Sequence, residues 1–339
     1  MDQRTDESAN TMTILVTGGC GFIGTNFISN WFQKSDEKIV NIDRMTYAAN
    51  RFCIDTPPHR NLTNLNVDIT DGQSLRDIFH AHQPRAIVHF AAESHVDRSI
   101  VSADQFIQTN INGTYELLVN SLSYLEGTAK DTRDSFRFVH VSTDEVFGSL
   151  QPHESGFSET TPYRPNSPYS ASKAASDHLA RCYYETFGLP TIVTNCSNNY
   201  GPYQHAEKLI PTVLNSFLEG RKIPVYGDGQ QIRDWLFVED HCDALMCVLD
   251  KGVPGESYNI GGDCELTNLG LIKRIFDELT ILKPEFLIKS LDDYISFVED
   301  RLGHDRRYAI NANKIQTQLG WRPSHDFSKG IAKTIGWYF

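Results

Sequence analysis

The sequence predicts an α/β protein with a doubly wound parallel sheet and a smaller, loop-rich C-terminal domain. Two observations carry this prediction. Short apolar segments alternate with amphipathic segments up to about residue 200, which is the pattern of parallel strands joined by helices. The first apolar segment also runs directly into a glycine-rich turn that opens an amphipathic stretch, so strand, tight turn and helix follow one another without a linker.

The individual elements follow in chain order. The first strand is predicted at residues 13–17 and is followed by a helix that extends to about Phe32. Further strands are predicted at residues 38–43, 64–68, 86–90, 136–141 and 191–195, each a short run rich in apolar residues. The longest helices are expected at residues 104–125 and 170–187.

The domain boundaries are predicted from the same pattern. Residues 1–12 form a polar N-terminal extension that we expect to be disordered. Residues 13–200 and roughly 230–261 form the nucleotide-binding domain, of the Rossmann type, and roughly 201–229 and 262–339 form the second domain. Beyond Asn198 the pattern is interrupted by Pro202, Pro211, Pro224 and a Gly-Asp-Gly turn, which predicts loops that cover a ligand.

Composition excludes several functions. The chain has 339 residues, 40% of them hydrophobic, and a formal net charge of -12, which argues against nucleic acid and anionic membranes as partners. Its seven cysteines show no C-x-x-C pair, so neither a disulfide framework nor a metal site is predicted. No apolar stretch reaches 18 residues and no export signal is recognisable. We therefore expect a cytoplasmic protein with reduced thiols.

The glycine-rich turn predicts a dinucleotide site. Gly18, Gly21 and Gly24 stand between a strand and a helix, where glycines let a pyrophosphate approach the main-chain N–H groups and the positive end of the helix. Asp43 ends the next strand, where a carboxylate binds a ribose diol and repels a 2′-phosphate. NAD is therefore the preferred cofactor, and the neighbouring Arg44 leaves NADP open.

Two further motifs predict catalysis. Tyr169 and Lys173 are spaced i, i+4, so a helix places the ammonium near the phenol and favours the phenolate as a base for an alcohol. Lowering a phenol pKa from ~10 to ~7 takes roughly 4 kcal/mol, which the lysine and the positive charge of NAD could together supply. Thr143, Asp144 and Glu145 add a hydroxyl and two carboxylates, which is enough for a redox step followed by an elimination.

Together with the downstream Ser197-Asn-Asn-Tyr-Gly-Pro202, these motifs resemble the extended short-chain dehydrogenase/reductase family that acts on nucleotide sugars. Longer strings narrow the resemblance to its 4,6-dehydratase branch, over about residues 13–339. The strings begin at Ala92, Ser142, Asn195, Gln231 and Asp300. The Thr-Asp-Glu triplet is the most specific of these features.

The resemblance implies a set of binding residues. Besides the three glycines, Asp43, Tyr169 and Lys173, the cofactor site would include Phe22, Ile23, Asp68, Ile69, Thr109 and Asn199. The sugar nucleotide would be bound by Ser94, Thr143, Asn198, Lys208, Leu209, Pro224, Tyr226, Arg233, Asn268, Arg301 and His304. Lys208, Arg233 and Arg301 would supply the basic cluster that a pyrophosphate needs on an acidic protein.

The resemblance also implies the reaction. We expect dTDP-glucose to be oxidised at C4, to lose water across C5 and C6 with Glu145 as base and Asp144 as acid, and to be reduced at C6. Adjacent strand residues point to opposite faces, so the strand must end or turn at this pair. A 4-epimerase, a dehydratase of another nucleotide glucose and a non-catalytic NAD sensor remain alternatives. A homodimer through a four-helix bundle is also expected.

Overall fold

The computed structural model describes residues 12–50 and 59–339. The predicted N-terminal extension at residues 1–12 lies outside these ranges except for Met12, which is exposed.

A seven-stranded parallel sheet forms the centre of the protein and confirms the predicted doubly wound architecture. Its spatial order is β10-β6-β5-β4-β1-β2-β3, so the strand order reverses direction between β1 and β4. The strands are β1 Thr13–Thr17, β2 Lys38–Asp43, β3 Leu62–Asn66, β4 Ala86–His89, β5 Arg137–Thr143, β6 Thr191–Cys196 and β10 Ser257–Ile260. The first six all lie within two residues of their predicted bounds at each end, with β3 displaced by two residues towards the N-terminus.

Helices cover both faces of the sheet and part of the C-terminal region. They are α1 Phe22–Lys34, α2 Gly72–His82, α3 Val96–Val101, α4 Asp104–Phe106, α5 Thr114–Glu126, α6 Lys130–Ser135, α7 Pro168–Phe187, α8 Leu209–Leu218, α9 Val238–Lys251, α10 Asn268–Leu282, α11 Leu291–Tyr294, α12 Asn313–Gln318 and α13 Phe327–Tyr338. Short 3₁₀ helices cover Asp144–Phe147 and Pro284–Phe286.

The long helix predicted at residues 104–125 is interrupted. Residues Ile107–Gly113, between α4 and α5, form a π-helical segment. This conformation is rare in proteins overall, and where it occurs it is often at a functional site. Periodicity could not distinguish this widened turn from an α-helix, because the surrounding residues keep the same buried face.

The C-terminal region contains more regular structure than the predicted loops. It contributes a three-stranded sheet of order β11-β9-β7 and a two-stranded sheet of β12 and β8. Their strands are β7 Asn198–Tyr200, β8 Ile223–Tyr226, β9 Ile232–Phe237, β11 Glu265–Thr267 and β12 Ile295–Val298. The prolines that suggested loops fit these elements, because Pro211 lies in the first turn of α8 and Pro224 lies in a two-stranded sheet with free edges.

Two hydrophobic cores explain why the site lies where it does. One is formed by the sheet and its flanking helices α1 and α9, and another by β8, β9 and helices α8 and α10. The carboxyl ends of the parallel strands border the main cleft, which Lys208, immediately before α8, also lines. Within the described ranges, no helix is long and apolar enough to cross a membrane.

Candidate active site

The main cleft lies at the carboxyl ends of the strands where the sheet order reverses, which is the usual ligand position in this architecture. The glycine turn forms one wall. Gly18 has φ +71°, and a Cβ built on it would lie 2.6 Å from the main chain of Ala91 after β4. A Cβ on Gly24 would lie 2.4 Å from the Gly18 carbonyl oxygen. Both positions therefore require glycine for steric reasons.

Side chains from the next strand, β2, accept hydrogen bonds from the main chain of the turn. The Gly19 N–H donates to Asn41 Oδ1 at 2.9 Å, and the Cys20 N–H donates to Asp43 Oδ2 at 2.9 Å. Asp43 Oδ1 accepts from the Met45 N–H at 2.8 Å. Burial raises the pKa of Asp43, which these N–H donors and Arg44 oppose. Helix α1 begins after Gly21 without a side-chain cap, so the positive end of the helix faces the cleft.

Arg44 is held by two carboxylates. Its guanidinium lies 3.0 Å from Asp68 Oδ2 and 3.1 Å from Glu93 Oε1. The arginine that left NADP open in the sequence is thus paired, and a 2′-phosphate here would meet Asp43 and these two carboxylates. The surroundings favour an unphosphorylated ribose.

Several buried polar atoms around the cleft have no hydrogen-bond partner in the described part of the chain. They include Thr109 Oγ1 on the π-helical segment, Asn198 Oδ1 on β7 and Gln204 Oε1 in the following loop. Buried polar groups are normally paired. These atoms, the glycine turn and Asp43 are what a dinucleotide would engage, so the residues present fit NAD.

The Thr143, Asp144 and Glu145 triplet lies where β5 ends. Thr143 is the last strand residue, and the chain turns immediately into the 3₁₀ helix Asp144–Phe147. The Glu145 N–H donates to Thr143 Oγ1 at 3.2 Å, which caps this turn. The prediction that the strand ends at the acidic pair is confirmed, and the buried Asp144 and the half-buried Glu145 line the same cleft.

The two adjacent carboxyl groups have different electrostatic surroundings. Burial raises the pKa of Asp144 well above its usual range, and the Glu145 charge raises it further. Burial also raises the pKa of Glu145, but the cations of Arg301, Arg233 and Lys208 oppose that shift. Asp144 Oδ2 is buried without a partner among the described residues. Such a pair suits a protonated acid beside an ionised base.

The Tyr169–Lys173 couple lies in the first turns of α7, which begins with a capping box at Ser167. Lys173 Nζ donates to the Val141 carbonyl at 2.9 Å. Burial raises the pKa of Tyr169 well above its usual range, the Glu145 charge adds to this, and a hydrogen bond with Thr143 lowers it. The protein's own groups therefore keep the phenol protonated, so the predicted phenolate depends on a positive charge beyond the Lys173 ammonium.

Three cations converge on Glu145 from separate segments. Lys208 Nζ donates to the Ser94 carbonyl at 3.0 Å, and Arg233 Nη2 donates to the Asp305 carbonyl at 3.0 Å. Arg301 Nη1 lies 3.6 Å from Asp97 Oδ1. The Arg301 Nε is buried without a partner in the described structure, which leaves a donor available for an anion.

The remaining predicted substrate residues border this cation cluster or the elements next to it. Pro224 and Tyr226 are exposed on one face of β8, and the Tyr226 ring lies 6.3 Å edge-on from the ring of His304. His304 Nδ1 lies 2.6 Å from Asp300 Oδ1. Leu209 and Asn268 are the first residues of α8 and α10.

The predicted residues thus fall into two groups. Those lining the main cleft are Gly18, Gly21, Phe22, Ile23, Gly24, Asp43, Asp68, Ile69, Ser94, Thr109, Thr143, Asp144, Glu145, Tyr169, Lys173, Asn198, Asn199 and Lys208. Those outside its lining are Leu209, Pro224, Tyr226, Arg233, Asn268, Arg301 and His304.

Sequence reasoning did not single out several residues of the cleft. Thr46, Ala48 and Ala49 line it from the segment after β2, and Cys196 and His205 line it from the other side. Small apolar residues after a strand carry no recognisable signal. Among the described residues, no group of three or more His, Cys, Asp or Glu side chains could hold a metal ion.

The parallel sheet, the glycine turn and the Tyr169–Lys173 couple define an enzyme of the extended short-chain dehydrogenase/reductase class. The family described as GDP-mannose 4,6 dehydratase matches residues 15–334, and the chain belongs to this family. It is 50% identical over 331 residues to the dTDP-glucose 4,6-dehydratase of Haemophilus influenzae, covering 96% of this chain and 98% of that protein. It is 51% identical over 328 residues to the corresponding protein of Neisseria gonorrhoeae, covering 96% and 95%.

Solved structures of similar fold include both a dehydratase and an epimerase. DesIV, a dTDP-glucose 4,6-dehydratase from Streptomyces venezuelae with NAD and TYD bound, is 41% identical with a TM-score of 0.87, covering 96% of this chain and 97% of that one. A UDP-glucose 4-epimerase from Thermotoga maritima is 25% identical with a TM-score of 0.84, covering 96% and 98%. The fold is therefore common to dehydratases and epimerases, and the site must distinguish the two.

Proposed function

We propose that the protein is a lyase that converts dTDP-glucose to dTDP-4-keto-6-deoxyglucose and water with bound NAD. The relatives at about half identity carry this activity in their names. The observation that carries the proposal is the acidic pair at the end of β5, where Asp144 and Glu145 are adjacent but have different electrostatic surroundings. A 4-epimerase has no step at C5 or C6 that would use such a pair.

Elimination of water from a hexose needs an acidic proton at C5. A C4 ketone makes the C5 proton acidic because it stabilises the negative charge that develops on its loss. When bound, NAD accepts the hydrogen and electron pair released at C4 and later returns them at C6. Gly18, Gly21, Gly24 and Asp43 would hold its pyrophosphate and adenosine ribose.

Tyr169 begins the reaction by taking the proton of the C4 hydroxyl. Thr143, at the end of β5, lies close enough to lower the pKa of the phenol. Lys173 is buried one helical turn away and adds positive charge to this end of the cleft. Because burial and Glu145 raise the Tyr169 pKa, the phenol would be ionised, and able to take this proton, only with the positive charge of the nicotinamide beside it.

Glu145 then removes the C5 proton, and Asp144 gives a proton to the departing C6 hydroxyl, which leaves as water. Glu145 returns a proton to C5 when C6 is reduced. The cations around Glu145 favour its ionised form, while burial and the neighbouring charge favour the neutral form of Asp144. Proton transfer of this kind contributes about 10²–10⁴-fold to each step. The unpaired Asp144 Oδ2 is available as the atom that carries the proton.

Arg301, Arg233 and Lys208 would hold the diphosphate of the substrate, and Tyr226 would support the base. A cluster of three cations is what a dianionic diphosphate needs on a chain of net charge -12. The partly exposed Tyr226 ring on β8 faces His304 and Arg301. The same contacts to the diphosphate and the base would bind UDP-glucose or CDP-glucose. The preference for thymine is therefore tested separately.

The test is to incubate the purified protein with dTDP-glucose and follow the sugar nucleotide by mass spectrometry and by the chromophore that 4-keto sugars develop in alkali. We expect a product lighter by one water that gives this chromophore. UDP-glucose and CDP-glucose are assayed in parallel to rank the bases. A product of unchanged mass that is epimeric at C4 would establish the alternative activity, and no conversion of any nucleotide glucose would refute the proposal.

We also propose a homodimer built on α5 and α7. These two helices pack against each other and leave large apolar side chains on their outer surface, with Tyr115 46% and Phe187 55% exposed. The ring of Tyr183, also on α7, lies 5.1 Å from the ring of Phe187. A second copy would cover this face with its own two helices.

Light scattering tests the dimer. We expect twice the chain mass at micromolar concentration, and Tyr115→Arg should give the monomer mass. Ile288→Arg, at an exposed apolar residue outside these helices, is the matched control and should stay dimeric. A monomeric native protein would contradict this proposal.

A cytoplasmic location is proposed as well. The six cysteines in the described ranges are free thiols, which fits a reducing compartment. Cell fractionation followed by immunodetection checks it, and recovery outside the cytoplasmic fraction would overturn it.

A further inference from the structure

Asp177 is a buried carboxylate that the reaction described above does not use. It lies on α7 four residues after Lys173, so the two side chains share one face of the helix. Asp177 is 2% exposed and Lys173 is 3% exposed. A buried ammonium is strongly disfavoured without an opposite charge, so the groups around Lys173 determine whether it stays charged.

The charged and titratable groups that face Lys173 come from four elements. His89 lies on β4, His140 on β5, Cys196 on β6 and Asp177 on α7 itself. Burial lowers the pKa of Lys173, and the Asp177 charge opposes this. Burial raises the pKa of the Cys196 thiol, so this group is neutral at neutral pH.

The two histidines are neutral and their tautomers follow from the hydrogen bonds. Ser176 Oγ donates to the Lys173 carbonyl at 2.8 Å, so it accepts from His140 Nε2 at 3.1 Å. Thr114 Oγ1 donates to the Asn110 carbonyl at 2.7 Å, so it accepts from His89 Nε2 at 2.9 Å. Burial lowers the pKa of His140 to about 4 and that of His89 well below its usual range.

Asp177 is therefore the anion next to Lys173 among these groups. His140 Nε2 lies 3.1 Å from Asp177 Oδ1, but this imidazole is neutral and leaves the carboxylate charge uncompensated. The Lys173 ammonium is the cation on the same helix face that can balance it. The two buried charges each need the other.

Asp177 also ties the ends of two strands to helix α7. Its Oδ2 accepts from Ser142 Oγ at 2.9 Å, Tyr163 OH at 3.0 Å and Asn195 Nδ2 at 3.1 Å. Asn195 Nδ2 also donates to the Thr143 carbonyl at 3.2 Å, immediately before Asp144. The same carboxylate thus connects the helix of Tyr169 and Lys173 to the strand end of Thr143, Asp144 and Glu145.

We propose that Asp177 is a positioning residue for the reaction, acting as the buried counter-anion of Lys173 and as the anchor that holds the strand end of Thr143–Glu145 against helix α7. The catalytic consequence rests on the function proposed above. The two charges lie on one helix face without a direct ion pair within 4.0 Å, and Asp177 acts on Lys173 through its charge. This electrostatic pairing is tested without reference to turnover.

The stability test is a double-mutant cycle in urea on the full-length protein. Asp177→Asn leaves the lysine unpaired and Lys173→Met leaves the carboxylate unpaired, so each should lower the unfolding midpoint. The double variant removes both charges and should lose less than the sum of the two single losses. Additive losses would refute the pairing. If Asp177→Asn alone does not fold, folding of the double variant supports the pairing and its failure to fold contradicts it.

The catalytic test is the pH dependence of kcat with dTDP-glucose. Without Asp177 the Lys173 pKa falls, so the lysine loses its proton at lower pH and the alkaline limb should move to lower pH by about one unit. Asp177→Glu keeps the charge and should restore the limb while kcat stays reduced. Asp240→Asn is the matched control. Asp240 is a buried carboxylate on a different helix, α9, and it accepts hydrogen bonds from Ser324 Oγ and the His325 N–H.

We expect Asp240→Asn to leave the alkaline limb where it is, even where it lowers stability. If Asp177→Asn lowers kcat equally at every pH and the limb stays in place, its effect is structural only and the catalytic part of the proposal fails. Should the native protein show no dehydratase activity, the proposed function fails, while the urea cycle still decides the charge pairing.

Discussion

The two halves of the cleft are built in different ways. The dinucleotide half is made mainly of main chain, from the glycine turn between β1 and α1 and the strand end at Asp43. The proposed sugar half depends on charged side chains: Lys208 lines the cleft, and Arg233 and Arg301 act on Glu145 from outside its lining, all three from segments far apart in sequence. The first half depends on steric fit, and the second on the electrostatic balance around Glu145. Substitutions in the two halves should therefore fail differently.

The largest effect is expected where the halves meet. Tyr169→Phe removes the base for the C4 hydroxyl and should lower turnover by about 10⁴-fold, while the bound dinucleotide stays in place because the glycine turn is untouched. Steady-state turnover and the cofactor content of the purified variant are the two measurements. Tyr184→Phe, on the same helix but outside the cleft, serves as control. Activity close to native in Tyr169→Phe would contradict the assignment.

The acidic pair should give a smaller but more selective loss. Asp144→Asn and Glu145→Gln should each slow the loss of water by about 10²–10⁴-fold, while the C4 oxidation still occurs. Rapid quench followed by mass spectrometry should then detect an enzyme-bound 4-keto glucose nucleotide that has kept its C6 hydroxyl. Loss of the C4 oxidation itself, with no 4-keto intermediate detected in either variant, would contradict the assigned roles.

Steric fit in the dinucleotide half is tested by Gly18→Ala. The new Cβ would lie 2.6 Å from the Ala91 main chain, so the turn must shift and the protein should be purified with little or no cofactor. Gly188→Ala is the control, since Gly188 has the same φ of +71° but no atom within 4 Å of its Cβ position. It should cost about 1 kcal/mol of stability and keep its cofactor. Equal cofactor loss in both variants would mean that backbone strain, and not the contact, is responsible.

The smallest effect concerns the electrostatic balance in the sugar half. Glu145 must be ionised to act as a base, so the rate falls as pH falls through its pKa. Arg301 lowers this pKa, and Arg301→Gln should therefore raise it and move the acid limb of kcat to higher pH. Arg306→Gln removes an exposed arginine of the same segment, paired with Asp228 at 2.9 Å, and should leave the limb in place. A limb that does not move in Arg301→Gln would show that Arg301 does not act on Glu145.

The difference between the halves also explains what the sequence could predict. A glycine turn between a strand and a helix is a local pattern, and all of the first six strands were placed to within two residues at each end. The end of β5 at Thr143 followed from the requirement that two adjacent carboxyl groups face one cleft. These are consequences of neighbouring residues alone.

Other features depend on contacts between distant segments. The strand Ser257–Ile260 and the π-helical segment Ile107–Gly113 have no distinguishing local pattern. The raised pKa of Tyr169 was not anticipated, because it results from burial and from Glu145, 24 residues earlier in the chain. The three cations were expected only as a cluster for a diphosphate, and not to converge on Glu145. The role proposed for Asp177 could not be predicted, because it rests on contacts with Ser142 and Asn195 at the ends of two strands.

The fate of two hydrogen atoms tests the central claim most directly. Converting dTDP-[4-²H]glucose in ordinary water should give 4-keto-6-deoxyglucose nucleotide with the deuterium in its methyl group, without added reductant. Converting unlabelled substrate in D₂O should place solvent deuterium at C5, because the proton taken by Glu145 can exchange with water. NMR and mass spectra of the products give both results. Deuterium returned to C4 with C6 untouched, or lost from the sugar altogether, would contradict the account.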